Sequence, residues 1–230
     1  MRVHYLQHVA FEPPAAIADW ADDRGHDFAG THLHEGESLP DPDGFDLLVV
    51  MGGPMGVSDT GEYPWLDRER DFLRRTLAAE TSVLGVCLGA QQLAGALGGA
   101  VYPHDHREVG WFPVETTDTA AHSPLAPLAP EFPAFHWHGD THEVPAGAHL
   151  LARTDACRTQ AFLGADGLAL GLQFHLEATR ESVGALVDAA GDTGEGPYVQ
   201  GVDALLAEDA PFGALRESLD AVLDSFVAGV

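Results

Sequence analysis

The chain is expected to fold as an α/β domain with a mostly parallel central sheet and a small antiparallel addition. Three observations predict this. Strand-like and helix-like periodicities alternate through the first 99 residues, and two continuous apolar runs, each closed by glycine, read as buried parallel strands. Residues 100–150 then change to proline, histidine and short alternating runs. At 230 residues, 45% of them apolar, the chain is long enough for one such domain and apolar enough to bury a core.

RVHYLQH at 2–8 alternates and reads as the first strand; a helix from about Pro13 to Arg24 follows, with proline suited to its first turn. FDLLVVMGGP at 45–54 is a buried strand feeding a loop. From Trp65 to about Glu80, the spacing of Trp65, Phe72, Leu73 and Leu77 fits one helix face, with acidic and arginine residues opposite. TSVLGVCLGAQQLAGALGG at 81–99 repeats the order of strand, tight turn and helix. Runs such as WFPVET at 111–116 predict antiparallel hairpins on one side of the sheet. TQAFLGADGLALGLQFHLE at 159–177 reads as a hairpin, with strands through Gln160 and Phe162 and from Leu168 to His175 about a turn at Ala165-Asp166-Gly167. A helix from about Ala178 to Ala190 ends the main body, residues 1–190. The polar, glycine-rich GDTGEGPYVQ at 191–200 and two helices near 201–209 and 211–228 make residues 191–230 a C-terminal helical extension packed on the same domain.

The charge balance excludes two classes of partner. Thirty-six acidic residues face 11 basic ones, every one an arginine, for a net charge of −25. Nucleic acid and anionic membranes are bound through cations that neutralise phosphate, so neither is an expected partner. Such a surplus also repels itself unless solvent screens it over ~3 Å, as molar salt does. Together with the complete lack of lysine this predicts a protein of a salt-accumulating halophile; the alternative is an acidic mesophilic protein from a GC-rich genome. The N-terminal MRVHYLQHVA has no charged-then-apolar signal region, and no apolar run approaches the ~18 residues of a membrane span, so a cytoplasmic location is expected. Cys87 and Cys157 allow one disulfide by arithmetic, but a reducing cytoplasm and the setting of Cys87 argue for free thiols.

That setting is the end of an apolar strand and the start of a small-residue helix, the arrangement of a nucleophile elbow. Gly85 and Gly89 flank Cys87, allowing a sharp bend and close substrate approach. The helix N-terminus favours thiolate over thiol. Taken alone, Cys87 reads equally as a buried small hydrophobe. His175 and Glu177 are two apart, which on a strand puts both on one face, where a carboxylate can orient an imidazole; a solvent-facing pair is the bland alternative. The MGGPMG loop at 51–56 lacks a nucleotide-binding pattern, whereas Gly53 N–H with Leu88 N–H can supply an oxyanion hole.

GVCLGAQ at 85–91, GGP at 52–54 and F-H-x-E at 174–177, in this order, resemble the class I glutamine amidotransferases. HWHGDTHEVP at 136–145 is similar to the SHGD segment of the glutaminase domain of GMP synthase and its free-standing relatives, which EVGWFPV at 108–114 also suits. The resemblance implies a flavodoxin-like three-layer fold and a triad of Cys87, His175 and Glu177, with Gly53 and Leu88 as oxyanion donors. It further implies Gly52 and Gln91 as substrate-holding positions, and Trp137 and His138 on the loop contacting the α-amino and α-carboxylate groups of glutamine. A buried, satisfied histidine explains His138 as well. Leu176 stands where the family usually has proline. The implied activity is hydrolysis of the γ-amide of L-glutamine to glutamate and ammonia through a thioester; the alternatives are hydrolysis of γ-glutamyl peptides or amines, and a retired binding or regulatory domain. Nothing resembles an ATP-binding half, so an ammonia-accepting synthase would be a separate chain. No cofactor is implied, and His104, His106, His122 and His142 lack metal-ligand spacing.

Overall fold

A computed structural model describes residues 1–229. The first half comprises β1 (Arg2–Gln7), α1 (Ala16–Asp23), β2 (Asp27–His32), β3 (Leu47–Val50), α2 (Trp65–Ala78), β4 (Ser82–Val86) and α3 (Leu88–Ala96). A long hairpin of β5 (Val101–Thr116) and β6 (Glu131–His142) follows, then β7 (His149–Arg153), β8 (Ala161–Gly164), β9 (Ala169–Leu172), α4 (Arg180–Ala190), α5 (Val202–Leu205) and α6 (Phe212–Ala228). Among the described residues nine strands form one sheet in the order β2-β1-β3-β4-β9-β8-β7-β5-β6. The first five in that order pair in parallel. From β9 onward every pairing is antiparallel.

Three layers follow from the two-residue period of the central strands. On β3, Leu47 and Val49 pack with Ile17 and Trp20 of α1 and with Leu219, Val222 and Phe226 of α6. Leu48 and Val50 point the other way, onto Phe72 and Leu73 of α2 and Leu93 of α3. A strand buried on both faces has no need of polar alternation, which is why this stretch reads as a continuous apolar run. Helix α6 is tied to α1 by charge as well: Arg24 meets Asp224 at 2.6 Å, and Arg216 meets Asp23 at 2.7 Å.

Four local readings change. β2, DFAGTH, is a half-exposed edge strand whose glycine and polar residues carry no strand signal. The buried stripe of α2 is Leu66, Glu69, Phe72, Leu73 and Thr76, so Glu69 turns inward rather than to solvent. β9 stops at Leu172, leaving His175 and Glu177 beyond the strand, although His175 makes an isolated bridge to Phe135 of β6. Residues 191–200 are more than a connection, because Gln200 brackets Trp111 with side-chain hydrogen bonds of 2.9 Å to its N–H and its carbonyl. No helix among the described residues is long and apolar enough to cross a membrane.

Candidate active site

The parallel strands end level with one another: Leu6 pairs with Val50, Val50 with Gly85, and Val86 with Leu172. The residues just past those ends are His8, Gly52 and Gly53, Cys87, and Gln173 to His175. One carboxyl edge of the sheet, where α/β folds place their ligands, therefore gathers four separate segments of chain.

Cys87 caps α3 with φ 51° and ψ −108°, a conformation that costs a residue bearing a Cβ. The flanking glycines serve close packing rather than the bend itself. A Cβ on Gly85 would lie 2.5 Å from the Gly89 carbonyl oxygen, and one on Gly89 only 2.0 Å from that of Val50. With no side chains at these points, α3 sits directly against β3 and β4 and holds the elbow in its strained form. The sulfur lies in a hydrogen-bonding setting: Sγ is 3.8 Å from the Trp137 carbonyl oxygen, and Gln173 Nε2 is 3.6 Å from Sγ.

His175 Nδ1 is 2.7 Å from Glu177 Oε1, and both side chains are buried. The pair meets because residues 173–177 leave the sheet in bends, not because both sit on one strand face. Among the described residues the buried His175 Nε2 meets no hydrogen-bond partner, leaving it free to handle a proton. Burial alone would lower the His175 pKa; the Glu177 charge first, and then the Cys87 sulfur, outweigh it and hold the ring well above its usual value. Glu12, from the loop after β1, joins the same environment. Burial raises its pKa against the pull of His175, with repulsion from Glu177 adding to the rise.

A cleft of about 490 Å3 opens over Cys87, lined by Glu12, Gly53, Gln91, Arg107, Trp137, His138 and Asp140 among others. A larger hollow of about 750 Å3, lined by Leu39, Trp65 and Arg68 among others, contains none of these groups. Gly53 and Leu88 are neighbours, since a Cβ on Gly53 would lie 3.0 Å from Leu88 Cδ2. Leu88 opens α3, where its N–H has no helical partner. Gly52 backs onto the site: a Cβ there would meet Glu12 Oε2 at 2.2 Å and His175 Cε1 at 3.3 Å. Gln91 donates from Nε2 to Gln173 Oε1 at 3.1 Å, which links it to the sulfur's neighbour. His138 reaches the cleft wall with both nitrogens facing acceptors, Nδ1 at 3.0 Å from the Asp140 carbonyl oxygen and Nε2 at 3.1 Å from Glu108 Oε2.

Sequence reasoning overlooked Gln173, Glu12 and Arg107. Gln173 carried a usable signal, standing two before the histidine in GLQFHLE; Glu12, in the loop after β1, and Arg107, where the register of β5 shifts between Pro103 and Glu108, carried none. Three donor atoms, one each from Glu108, His136 and His138, lie within 4.8 Å of one another. Glu108 is already taken up by Thr154 at 2.7 Å and Gln160 at 2.6 Å besides His138. Burial favours its neutral form, but the contact with His138 keeps its pKa below the usual range. Burial pushes His136 down to about 3, so it stays neutral. Cys87 and Cys157 are both free and buried.

Residues 29–187 match the family model for glutamine amidotransferase class I. This chain belongs to the class I glutamine amidotransferases. A glutamine amidotransferase-like protein of Salmonella typhimurium, YfeJ, is 35% identical over 192 residues, 81% of this chain and 80% of its own. One subunit of a glutamine-hydrolysing GMP synthase from Haloquadratum walsbyi is 33% identical over 60% of this chain and 70% of its own. Among solved structures, a glutamine amidotransferase from Thermotoga maritima superposes with a TM-score of 0.89 at 28% identity, covering 99% of this chain and 98% of its own. One from Methylobacillus flagellatus gives 0.92 at 28% identity, over 100% and 95%. The amidotransferase fold thus extends beyond the matched family region to β1 and the C-terminal helices.

Proposed function

We propose that the protein hydrolyses the γ-amide of L-glutamine through a thioester on Cys87. The observation that carries this reading is the strained cysteine elbow beside a buried His175–Glu177 pair whose Nε2 is unpartnered. Cys87, its thiol proton passed to His175 Nε2, attacks the amide carbon as the thiolate, and the N–H groups of Gly53 and Leu88 receive the oxyanion. His175, oriented by Glu177, gives its proton to the leaving nitrogen as the carbon–nitrogen bond breaks and ammonia departs. Water, deprotonated by the same ring, then cleaves the thioester to glutamate. Among the described residues Arg107 is the one arginine on the cleft wall, and it pairs with the substrate α-carboxylate; Glu12 and Asp140 face the α-ammonium.

An electrophilic glutamine analogue tests this directly. Labelling of Cys87, with glutamine consumed and ammonia released, is the expected result. If Cys87 stays unlabelled and neither glutamine nor a γ-glutamyl amide is consumed, with or without a synthase present, the proposal is wrong.

The size of the cleft supports a second substrate class. About 490 Å3 is the scale of a complete small-molecule site and leaves room for a larger leaving group, so γ-glutamyl amines and peptides belong in the same assay. The relative named as a GMP synthase subunit supports a separate ammonia-accepting chain as partner. The net charge of −25 without lysine supports work in molar salt, within a salt-rich cytoplasm.

A further inference from the structure

Beneath the loop that follows β3 lies a buried pair that the hydrolytic steps do not use. His8, just past β1, and Glu69, on the inner face of α2, have side chains 0% exposed, with Nε2 2.7 Å from Oε1. The other ring nitrogen, Nδ1, is 2.9 Å from the Gly52 carbonyl oxygen. The ring also stacks on Trp65, 5.2 Å between centroids and 7° between planes. A carbonyl only accepts, so Nδ1 carries a proton and donates; Nε2, facing a carboxylate, donates too. Burial opposes a charge on this ring, yet the Glu69 charge and hydrogen bond, and then the Gly52 carbonyl, raise the His8 pKa. Taking two charges out of water is costly, so the pair is not there for stability alone.

Its geometry bears on the oxyanion site. Gly52 C=O and Gly53 N–H belong to one peptide unit, and planarity makes them point in opposite directions. Holding the carbonyl against a buried, stacked ring therefore fixes where the Gly53 N–H points. Gly53 lines the cleft that contains Cys87. Between two glycines such a peptide would otherwise turn over with little steric resistance. We infer that His8, braced by Glu69, is a positioning residue that locks the Gly52–Gly53 peptide with its N–H toward the oxyanion, so the isolated chain is competent without a partner to turn that peptide. This rests on the hydrolase reading above.

Three variants of the full chain test it. Asparagine places a donor where Nδ1 stands, glutamine reaches the Glu69 side instead, and leucine removes both contacts. Glutamine turnover is read beside alkylation of Cys87 by iodoacetamide, which displaces iodide and forms no oxyanion. For His8→Leu and His8→Gln, kcat should fall about 10²-fold, with KM and the alkylation rate within about threefold of wild type. His8→Asn should recover most of the loss. If His8→Leu does not fold, the contrast between His8→Asn and His8→Gln decides. The inference is overturned if His8→Asn is as poor as His8→Gln, if the variants keep wild-type kcat, or if alkylation falls in step with turnover. It is also overturned if the wild-type chain turns over only with a synthase. A wild type that consumes no γ-glutamyl amide under any condition, with Cys87 unlabelled by the glutamine analogue, overturns the hydrolase reading instead.

Discussion

His175 Nδ1 and Glu177 Oε1 stand 2.7 Å apart with side chains 6% and 7% exposed, and this short contact favours a charge on the ring beside Cys87. Its Nε2 has no hydrogen-bond partner among the described residues.

Glu177→Gln should therefore change both rate and pH dependence. With the carboxylate gone, burial dominates and the His175 pKa falls instead of standing well above its usual value. Loss of the oriented imidazolium should lower kcat by about 10²-fold or more. The stability sign is fixed as well. A histidine with a raised folded-state pKa contributes fully below its unfolded value, about 6.5, and the contribution is lost as pH rises through the folded value. Melting temperatures across this range should fall toward alkaline pH in the wild type, and Glu177→Gln should lack that component.

The elbow predicts an ordering of two inactive variants. Cys87→Ala and Cys87→Gly both lose turnover, but only glycine relieves the backbone at φ 51°. Cys87→Gly should be the more stable by about 1 kcal/mol, the strain relieved less the entropy of glycine. Equal denaturation midpoints would show that the elbow is unstrained.

Gly89→Ala should be among the most damaging single-methyl additions in the chain. The new Cβ would lie 2.0 Å from the Val50 carbonyl oxygen, and neither backbone can yield without moving the nucleophile. A loss of about 3 kcal/mol or outright failure to fold is expected by thermal melting. Gly184→Ala, with nothing within 4 Å and lying inside α4, is the matched control and should melt at or slightly above wild type.

Removing the cleft's arginine should separate binding from chemistry. Arg107→Leu should raise KM for glutamine about tenfold and leave kcat near wild type, since it acts on ground state and transition state alike. A drop in kcat with unchanged KM would remove Arg107 from substrate binding.

Salt should stabilise the fold. Moving from dilute buffer to molar KCl screens the self-repulsion of 25 net negative charges, and a gain of about 3 kcal/mol corresponds to about 6–12 °C in Tm. A melting point independent of salt would contradict the halophilic reading.

The chemistry was legible where local patterns carry it. FDLLVV and SVLGV announce strands buried on both faces, and the glycines around Cys87 mark the close approach they permit. His175 and Glu177 were found through their spacing, but the supposed strand face was wrong; bends after Leu172 bring them together. Glu69 escaped because an acidic residue on an amphipathic helix ordinarily faces water, and only its partner, 61 positions away, explains its burial. Edge strand β2 was missed for a related reason, since its pairing with β1 rather than its own residues makes it a strand.

Gathering the site at the sheet's edge has a consequence for how the molecule acquires activity. Cys87 meets the Trp137 carbonyl across 50 positions and Gln173 across 86, and β9, which pairs with β4, is separated from it in the chain by the long hairpin, β7 and β8. Contacts of such high order close late, because their loop entropy is spent before they form. On refolding from denaturant, helical signal should return first and reactivity of Cys87 last. On the proposed chemistry this delay would be protective: the thiol would meet His175, Gly53 and Leu88 only once the cleft over it exists.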